Sequence, residues 1–378
     1  MTPAAATERY IGIMSGTSLD GVDGALVEFE GPRMRVAGFA SAPLPEALKA
    51  ELLSLNSSGA DELHRAALAA NGLAGIYAAV VARLLAAARL EPAAIRAIGA
   101  HGQTVRHRPG LFDGTGYTLQ LNNPALLAEL TGIAVVADFR SRDVAAGGQG
   151  APLVPAFHQA MFGRPGATVC ILNIGGIANL SVLGPQGEVL GFDCGPGNAL
   201  LDHWCERHTG QPYDADGAWA AQGHVLPALL DRLLAEPYLQ QKPPKSTGRD
   251  LFHPAWLQTH LETYSRAHGE AGPADVQATL TELTARACAD CVIGHGNGSR
   301  QLAVCGGGAR NGYLMQRIAA LLHGVAVHPT DALGLPSQQV EAAAFAWLAR
   351  QALLGLPGNL PRVTGAAGPR VLGAIHPA

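Results

Sequence analysis

The chain has 378 residues, of which 48% are hydrophobic and 15% charged, and its formal net charge at pH 7 is −4. A single hydrophobic core stops growing at roughly 250–300 residues, so this length predicts two domains, and the composition excludes a disordered chain. The sequence has no run rich in lysine and arginine, so we expect no nucleic-acid partner.

The first part of the chain alternates short apolar runs with segments rich in alanine and leucine, which indicates mixed strands and helices. Strands are predicted over Tyr10–Met14, Val22–Phe29, Met34–Ala40, Ala94–Gly99, Tyr117–Leu121 and Ile133–Ala137. Helices are predicted over Pro45–Leu55, Asp61–Leu90 and Pro124–Thr131. These segments predict an α/β domain.

A Gly-rich segment, Ala145–Pro152, marks the main predicted domain boundary. We expect an N-terminal lobe of 1–144, with 364–378 as a candidate addition to it, and a C-terminal lobe of 145–363. Beyond the boundary, strands are predicted over Thr168–Ile174, Ile177–Leu183, Glu188–Phe192 and Leu302–Cys305. Helices are predicted over Leu153–Phe162, Ala199–His208, Val225–Ala235, Ala274–Val292, Gly312–Leu322 and Gln338–Leu354.

A strand, a glycine-containing turn and a second strand occur near Tyr10 and again near Val169, about 160 residues later. Such a duplication is typical of two-lobed ATPases, in which each lobe offers one hairpin to the nucleotide phosphates. Two unrelated hairpins in an α/β protein would give the same spacing, so both interpretations stay open.

The expected compartment is the cytoplasm. Residues 1–9 lack the charged region and apolar core of a signal peptide. The most apolar stretch, Ala66–Ala88, is interrupted by an asparagine, a glycine and an arginine, so we expect no membrane association. The six cysteines are scattered, and the CxxC of Cys288 and Cys291 suits packing in a helix better than a metal or redox site.

The sequence has no GxxxxGK[ST] phosphate loop and only three lysines. Bound phosphates would therefore be held by backbone N–H groups, hydroxyls and a metal ion. The turn Gly16-Thr17-Ser18 offers glycine and hydroxyl donors, and Gly175-Gly176 offers a second turn of this kind. Glycine turns are also common without any ligand.

Four aspartates follow or flank predicted strands, namely Asp20, Asp23, Asp138 and Asp193. Carboxylates in such places can hold a hydrated Mg²⁺ or accept a proton, and they can also serve as turn or helix-cap residues. Asp193 stands out because it ends a predicted strand and a helix follows closely. It is our candidate proton acceptor, with helix capping as the competing role.

The three glycines Gly306, Gly307 and Gly308 follow a short strand, where a flat adenosine could lie against the backbone or the chain could simply turn tightly. Arg140 could meet an anionic substrate group or form an ion pair with Asp143.

Four further polar residues are candidates for binding a sugar. His101, Gln103 and Asn122 lie in Gly-rich or strand-end settings and could hydrogen-bond a sugar, although they could equally be satisfied within a loop. Glu341 lies early in an apolar helix, where its side chain would need a partner. With Arg140, these residues form the expected substrate site.

Motifs along nearly the whole chain, in order, resemble those of the anhydro-N-acetylmuramic acid kinases. They are MSGTSLDGVD (14–23), AHGQT (100–104), NPA (123–125), VADFR (136–140), DVAAGGQGAPLVP (143–155), LNIGG (172–176), GFDCGPGN (191–198), DG (216–217), KSTGR (245–249) and VCGGG (304–308). The first and the seventh of these motifs are the most specific.

This resemblance implies a two-lobed actin-like ATPase fold with a duplicated ribonuclease-H-like core and an interlobe nucleotide cleft. It implies that the protein opens the 1,6-anhydro ring and phosphorylates the freed 6-oxygen, giving N-acetylmuramate 6-phosphate and ADP in cell-wall recycling. It places the catalytic base on Asp193 and the first ATP-contacting segment on Gly16, Thr17, Ser18, Leu19, Asp20, Gly21, Val22 and Asp23.

The same resemblance implies ATP with Mg²⁺ bound mainly through the phosphates, no dedicated metal site, an anhydro-amino-sugar substrate and, by analogy, a homodimer. An actin-like or heat-shock-like ATPase that acts as a binding machine is the main alternative. A glycosidase, which would use two carboxylates and no ATP, is another. Dependence of ADP release on an anhydro-sugar distinguishes the three.

Overall fold

The computed structural model describes residues 7–16, 19, 21–31, 33–248, 251–296 and 298–378. The chain divides into two compact units, Met1–Phe157 with Gln339–Ala378, and His158–Gln338. The predicted lobes of 1–144 and 145–363 differ from these units mainly at the C-terminal end, where the return to the first unit begins at 339.

The elements up to residue 162 are, in chain order, β1 (Glu8–Ser15), β2 (Gly21–Glu30), β3 (Arg33–Pro43), α1 (Glu46–Ser54), α2 (Glu62–Ala88), β4 (Ala97–Ala100), β5 (Gln103–Pro109), β6 (Gly116–Leu121), α3 (Pro124–Thr131), β7 (Val135–Ala137), α4 (Ser141–Ala145) and α5 (Val154–Phe162). The later elements are β8 (Val169–Ile174), β9 (Ile177–Leu183), β10 (Val189–Pro196), α6 (Ala199–Thr209), α7 (Pro227–Leu234), α8 (Pro254–His268), α9 (Pro273–His295), β11 (Gln301–Cys305), α10 (Gly312–Leu321), β12 (Ala326–Pro329), α11 (Val340–Leu353), α12 (Pro361–Thr364) and β13 (Ala374–His376).

The first unit is built on a six-stranded sheet with the order β13-β7-β4-β1-β2-β3. Strands β1, β2 and β3 form an antiparallel meander, and β4 and β7 continue the sheet in parallel with β1. Strands β5 and β6 form a separate two-stranded sheet. The connection from the hairpin to the parallel strands runs through α2, as expected for a crossover.

Helix α11 belongs to the first unit because two glycines let its backbone approach the sheet. A Cβ at Gly12 of β1 would overlap the carbonyl oxygen of Ala342, and one at Gly99 of β4 would overlap that of Phe345. The two glycines are neighbours across the parallel pair. This close approach accounts for the return of the chain at 339 rather than near 364.

Helix α2 contributes many of the buried side chains of the first unit. Its 27 residues and a window hydropathy of 1.6 would suffice to cross a membrane by length and composition alone. In the fold it packs against β2 and β3 and buries Leu73, Tyr77, Val80 and Leu84. It is therefore a core helix.

The second unit is built on a five-stranded sheet with the order β10-β9-β8-β11-β12. Strands β8, β9 and β10 form an antiparallel meander, and β11 and β12 continue it in parallel with β8. This repeats the connectivity of β1, β2, β3, β4 and β7. The predicted α/β class and the duplicated ribonuclease-H-like core are confirmed, whereas the interlobe nucleotide cleft stays a prediction.

Several elements differ from the sequence-based expectation. Helix α8 and strands β5, β12 and β13 were not predicted, because they are short or mostly polar. Strand β10 was expected to end at Phe192 but continues to Pro196, with a bulge between Asp193 and Gly195. Asp193 thus lies inside a strand and not after one.

Candidate active site

The turn between β1 and β2 carries the first group of predicted ATP-binding residues. The main-chain N–H of Leu19 donates to the carbonyl oxygen of Gly16 at 3.2 Å, and Leu19 adopts a positive φ of 61°. The side chains of Leu19 and Val22 are buried in the core, so only their backbones could meet a nucleotide. The predicted residues Thr17, Ser18 and Asp20 lie outside the described residues.

The last two predicted residues of this segment lie in β2. A Cβ at Gly21 would come within 2.6 Å of the carbonyl oxygen of Ala42 on β3, so packing alone requires glycine there. Asp23 is half-buried and stands opposite Met14 and Ser41 in the neighbouring strands. Its position beside the turn keeps it a candidate for the phosphate side of the site.

The residues after β4 are tied to the end of β1. The N–H of His101 donates to the carbonyl oxygen of Ile13 at 3.0 Å, and Gln103 Nε2 donates to that of Gly16 at 3.1 Å. Ser15 Oγ lies 2.7 Å from the Tyr77 hydroxyl and donates to the carbonyl oxygen of Gly102 at 3.3 Å. The predicted phosphate turn and the predicted sugar residues of the first unit are therefore adjacent.

Buried His101 and half-buried Arg140 form a hydrogen-bonded pair. Arg140 Nε and Nη2 lie 3.1 and 2.9 Å from His101 Nε2, and Arg140 Nη1 donates to the carbonyl oxygen of Gly150 at 2.7 Å. Burial, and then the adjacent guanidinium, lower the pKa of His101 well below its usual value. His101 is thus a neutral imidazole with its acceptor nitrogen on Arg140, and it holds the guanidinium in place.

Two amide side chains near this pair have unsatisfied polar atoms. Gln103 Oε1 and both polar atoms of Asn122 are buried and have no hydrogen-bond partner in the described part of the protein. Leu121, which precedes Asn122, pairs with Gln103 across β5 and β6. Buried amide groups without partners cost free energy, so this hairpin is a place where a polar ligand or ordered water is expected.

The remaining predicted substrate residue is Glu341. It lies half-buried in the first turn of α11. Its neighbour Ala342 is the residue whose carbonyl oxygen lies against Gly12. The first unit therefore places Glu341 above β1, while hydrogen bonds link His101, Gln103 and Arg140 to the strand ends or to one another.

Two aspartates after β7 have structural roles. Asp138 is exposed, has a φ of 57° and accepts a hydrogen bond from the Ser141 N–H at 3.4 Å, as a turn residue does. Asp143 is fully buried and accepts from Asn359 Nδ2 at 2.6 Å, Thr364 Oγ1 at 2.8 Å and the Gly150 N–H at 2.8 Å. Asp143 therefore ties α4 to the C-terminal segment.

In the second unit, the Gly175-Gly176 turn is held by the residues that follow β10. The N–H groups of Gly197 and Asn198 donate to the carbonyl oxygens of Gly176 and Gly175 at 3.0 and 2.8 Å. A Cβ at Gly175 would have only the Ile177 carbonyl oxygen nearby, at 3.7 Å. Packing does not require a glycine there, which fits a surface that a ligand approaches.

The three glycines after β11 are not equivalent. Gly306 has a φ of 79°, and a Cβ on it would lie 2.5 Å from Asn173 Oδ1; one on Gly308 would overlap the side chain of Ile174. A Cβ on Gly307 would meet only Asn198 Nδ2, at 3.2 Å. Gly306 and Gly308 are needed for the turn, and Gly307 is the position where a ligand could lie against the backbone.

The carboxylate of Asp193 is firmly held. Asp193 is 8% exposed, and its Oδ2 accepts hydrogen bonds from Ser246 Oγ at 2.9 Å and from the Thr247 N–H at 3.0 Å. Its main-chain oxygen accepts from the Tyr238 hydroxyl at 2.9 Å. The alternative role as a cap of α6 is not seen, since Asn198 occupies the N-cap position of that helix.

The residues that hold Asp193 were not recognised as functional from the sequence. Lys245, Ser246 and Thr247 belong to the KSTGR motif (245–249), but a short polar segment gives no local signal of a contact more than 50 residues away. Only the pairing of this segment with β10 shows what it does.

Cys288 and Cys291 pack in the core, as predicted for this pair. All six are free thiols and buried. Hydrogen bonding to Cys288 raises the pKa of the Cys194 thiol, and hydrogen bonding to Cys194 together with burial raises that of Cys291. Such thiols are unreactive.

The comparisons with known proteins agree along the whole chain. The family model described as Anhydro-N-acetylmuramic acid kinase matches residues 8–378. Curated relatives of that name include a protein of Variovorax paradoxus, 63% identical over 378 residues, which cover 99% of this chain and 100% of the relative. Another, from Albidiferax ferrireducens, is 61% identical over 392 residues, with 98% and 100% covered.

Similar solved structures include a ROK family glucokinase from Streptomyces griseus in complex with glucose and AMPPNP. It has a TM-score of 0.42 and 14% identity, and the match covers 91% of this chain and 99% of that one. An activator of 2-hydroxyisocaproyl-CoA dehydratase from Clostridium difficile has a TM-score of 0.45 and 12% identity, with 89% and 92% covered.

Proposed function

The chain belongs to the anhydro-N-acetylmuramic acid kinase family, and from this premise we propose that it phosphorylates 1,6-anhydro-N-acetylmuramic acid with ATP. The observation that carries the proposal is the match over residues 8–378, which spans both units. The identity of 61–63% to relatives of that name over nearly their full length supports the same activity.

The proposed reaction combines ring opening with phosphoryl transfer. Water attacks the anomeric carbon, the bond from that carbon to the 6-oxygen breaks, and the 6-oxygen takes the γ-phosphoryl group of ATP. The products are N-acetylmuramate 6-phosphate and ADP. The attacking water loses a proton, so the site needs a base within hydrogen-bond reach of it.

We assign the base to Asp193. Its carboxylate is mostly buried and is held by Ser246 and Thr247 at the bulge of β10. Of the other described candidates, Asp138 is an exposed turn residue. A held carboxylate keeps its orientation while the water is attacking, which is what general-base catalysis requires.

We assign sugar binding to the first unit. His101, Gln103, Asn122, Arg140 and Glu341 are its proposed substrate residues. The unpaired buried atoms of Asn122 and Gln103 support hydrogen bonding to sugar hydroxyl or amide groups, and Arg140 can meet the substrate carboxylate. Neutral His101 uses its acceptor nitrogen to orient Arg140.

We assign ATP to the glycine turns of both units. Gly175 and Gly307 have room for a ligand against the backbone, and Gly176, Gly306 and Gly308 shape these turns. In the first unit the Gly16–Asp23 segment is the proposed phosphate turn. Gly16, whose carbonyl oxygen is held by Gln103, connects this turn to the sugar residues.

Mg²⁺ would neutralise charge on the transferring phosphoryl group. Among the described residues, no group of three or more His, Cys, Asp or Glu side chains is placed to hold a metal ion. Because Mg²⁺ keeps water and phosphate ligands readily, we propose that it enters with ATP and that Asp23 is a described carboxylate able to approach it.

We also propose that the protein is a cytoplasmic homodimer and that it acts in cell-wall recycling.

The activity is tested by following ADP release with ATP, Mg²⁺ and 1,6-anhydro-N-acetylmuramic acid. Release should depend on the sugar, since a kinase that spends ATP without its acceptor would be wasteful. Equal ADP release without sugar would favour the ATPase binding machine. Sugar turnover without ATP would favour a glycosidase.

The atom that water attacks is identified by turnover in ¹⁸O-labelled water followed by mass spectrometry. We expect the label in the anomeric hydroxyl and not in the phosphate. Unlabelled product kept in labelled water for the same time controls for spontaneous exchange. Label in the phosphate group would contradict attack of water on the sugar.

A further inference from the structure

The segment Lys245–Thr247 covers the edge of the second sheet at Asp193. Strand β10 is an edge strand, so its outward backbone groups need partners outside the sheet. The Asp193 N–H donates to the carbonyl oxygen of Lys245 at 3.2 Å, and the Tyr238 hydroxyl donates to the carbonyl oxygen of Asp193 at 2.9 Å. The backbone at Asp193 is therefore fixed on its open side.

The same segment fixes the side chain. Ser246 Oγ and the Thr247 N–H both donate to Asp193 Oδ2, at 2.9 and 3.0 Å. An aspartate carboxylate otherwise rotates with little resistance, because its terminal torsion is broad. Two donors on one oxygen restrict that rotation, and hydrogen bonds to a charged group are among the strong ones.

Lys245 holds the segment itself in place. Its side chain is 8% exposed, and Nζ donates to the carbonyl oxygens of Tyr238 and Leu239 at 3.4 and 3.3 Å. Nζ also lies 4.8 Å from the centre of the Tyr238 ring, on which the ammonium packs. These carbonyls belong to the 3₁₀ turn Pro237–Gln240, so a buried cation joins that turn to the segment.

We propose that Ser246 is a positioning residue for the reaction, acting through the carboxylate of Asp193. This proposal rests on the proposed function, in which Asp193 accepts the proton of the attacking water. A general base must lie within hydrogen-bond reach of that proton, and small misplacements of a reacting group are costly. The Ser246 hydroxyl is the side-chain donor among the two groups that hold Oδ2, so mutation can remove it alone.

The first test is steady-state kinetics of Ser246→Ala. We expect kcat to fall about 10- to 100-fold, the range for losing a hydrogen bond to a charged group. The KM values for ATP and for the anhydro-sugar should stay close to wild type, because Ser246 is not assigned to binding either one. Ser246→Thr, which keeps the hydroxyl, should recover most of the activity.

Two further variants control for misfolding. Thr263→Ala removes a hydroxyl from a half-buried residue of α8, where Oγ1 donates to the carbonyl oxygen of Thr259, and it should leave kcat unchanged. Ser246→Cys keeps the size of serine but weakens the donor, so it should give an intermediate kcat with a normal melting temperature. A wild-type kcat in a folded Ser246→Ala or Ser246→Cys protein would overturn the proposal.

A double-mutant cycle with Asp193→Asn separates this proposal from the proposed function. If Ser246 acts through Asp193, adding Ser246→Ala to Asp193→Asn should cost little further activity. An unchanged factor in both backgrounds would show that Ser246 acts independently and overturn the inference. Normal turnover of Asp193→Asn would instead overturn the assignment of the base, and with it the basis of this proposal.

Discussion

The two sheets repeat one connectivity, yet equivalent strands deliver different residues. Strand β4 runs parallel to β1, and β11 runs parallel to β8, so both leave their sheets at corresponding places. The chain after β4 carries His101 and Gln103, whereas the chain after β11 carries three glycines starting at Gly306. The topology fixes where a loop emerges, and its side chains decide what it can bind.

The difference is also one of the kind of hydrogen-bonding group. In the first unit, half-buried Arg140 is oriented by His101, and the buried polar atoms of Asn122 have no hydrogen-bond partner in the described part of the protein. In the second unit, a Cβ at Gly175 or at Gly307 would have a single neighbouring atom within 4 Å, so a ligand could approach the glycine backbone there. Side-chain amides and a guanidinium suit a sugar acid, and accessible backbone suits a nucleotide. This contrast supports the proposed sugar site in the first unit and the proposed contribution of the second unit to ATP binding.

The largest expected difference between the two units is tested with one aspartate from each, Asp193 and Asp138. Asp193→Asn should fold and lose roughly 10²- to 10⁴-fold in kcat, the usual range for loss of a general base. Asp138→Asn should keep near-normal kcat, because asparagine tolerates the positive φ of this exposed turn. Steady-state assays of ADP release with both variants measure the ratio, and similar losses in both would break the comparison.

The next test uses neighbouring glycines of the second unit. Gly306→Ala should lower the free energy of unfolding by about 1–3 kcal/mol, because the new Cβ would require a strained positive φ and would press on Asn173 and Ile174. Gly307→Ala should keep nearly the wild-type free energy of unfolding. Relative to wild type, it should lose more affinity for ATP than for the sugar. Urea unfolding and calorimetry with each ligand distinguish the two.

If Gly307→Ala weakens both ligands equally, the glycine turn is merely structural. If Gly306→Ala is as stable as wild type, packing does not fix this turn. Either result would remove the contrast between the backbone surface of the second unit and the side chains of the first.

The smallest expected effect compares one buried histidine from each unit. Burial, with Arg140 in the first case, lowers the pKa of His101 well below its usual value, and burial lowers that of His158 to about 3. Both are neutral in the folded protein, while the unfolded chain takes up these protons near pH 6.5. Stability is therefore present above pH 6.5 and declines as the pH falls from there toward the lowered values.

The loss should reach at most about 1.4 kcal/mol per pH unit for each histidine. Urea unfolding at pH 7, 6 and 5.5 measures it. His158→Gln and His101→Gln should each flatten the slope, although both will lower stability at pH 7. Unchanged slopes in both variants would show that other groups govern the acid sensitivity.

Much of the fold follows from local sequence. The spans of α3 and β9 were predicted as the structure has them, since proline starts the helix and apolar residues alternate in the strand. The repeated hairpin was also visible, but the sequence left open whether the two copies were related. Five strands of the first sheet, β7-β4-β1-β2-β3, repeat the order and connectivity of the five strands of the second sheet, which favours a duplication.

The candidate site was only partly predictable. The glycine turns and Asp193 were recognisable from residue type and from their positions at the ends of predicted strands, although Asp193 lies inside β10. The structural need for Gly306 and the freedom of Gly307 depend on Asn173, Ile174 and Asn198, which lie far away in sequence. A run of three glycines looks uniform until its neighbours are known.

The sequence alone determined the α/β class, the two hairpins and the candidate residues, because periodicity and glycine turns act over a few residues. Tertiary structure decided which candidate side chains are fixed by hydrogen bonds and which distant residues supply those bonds. Ser246 reaches Asp193 across 53 positions, and α11 returns to the first sheet only because Gly12 and Gly99 leave room for its backbone. Such contacts depend on how distant segments pack, which local residue patterns do not encode.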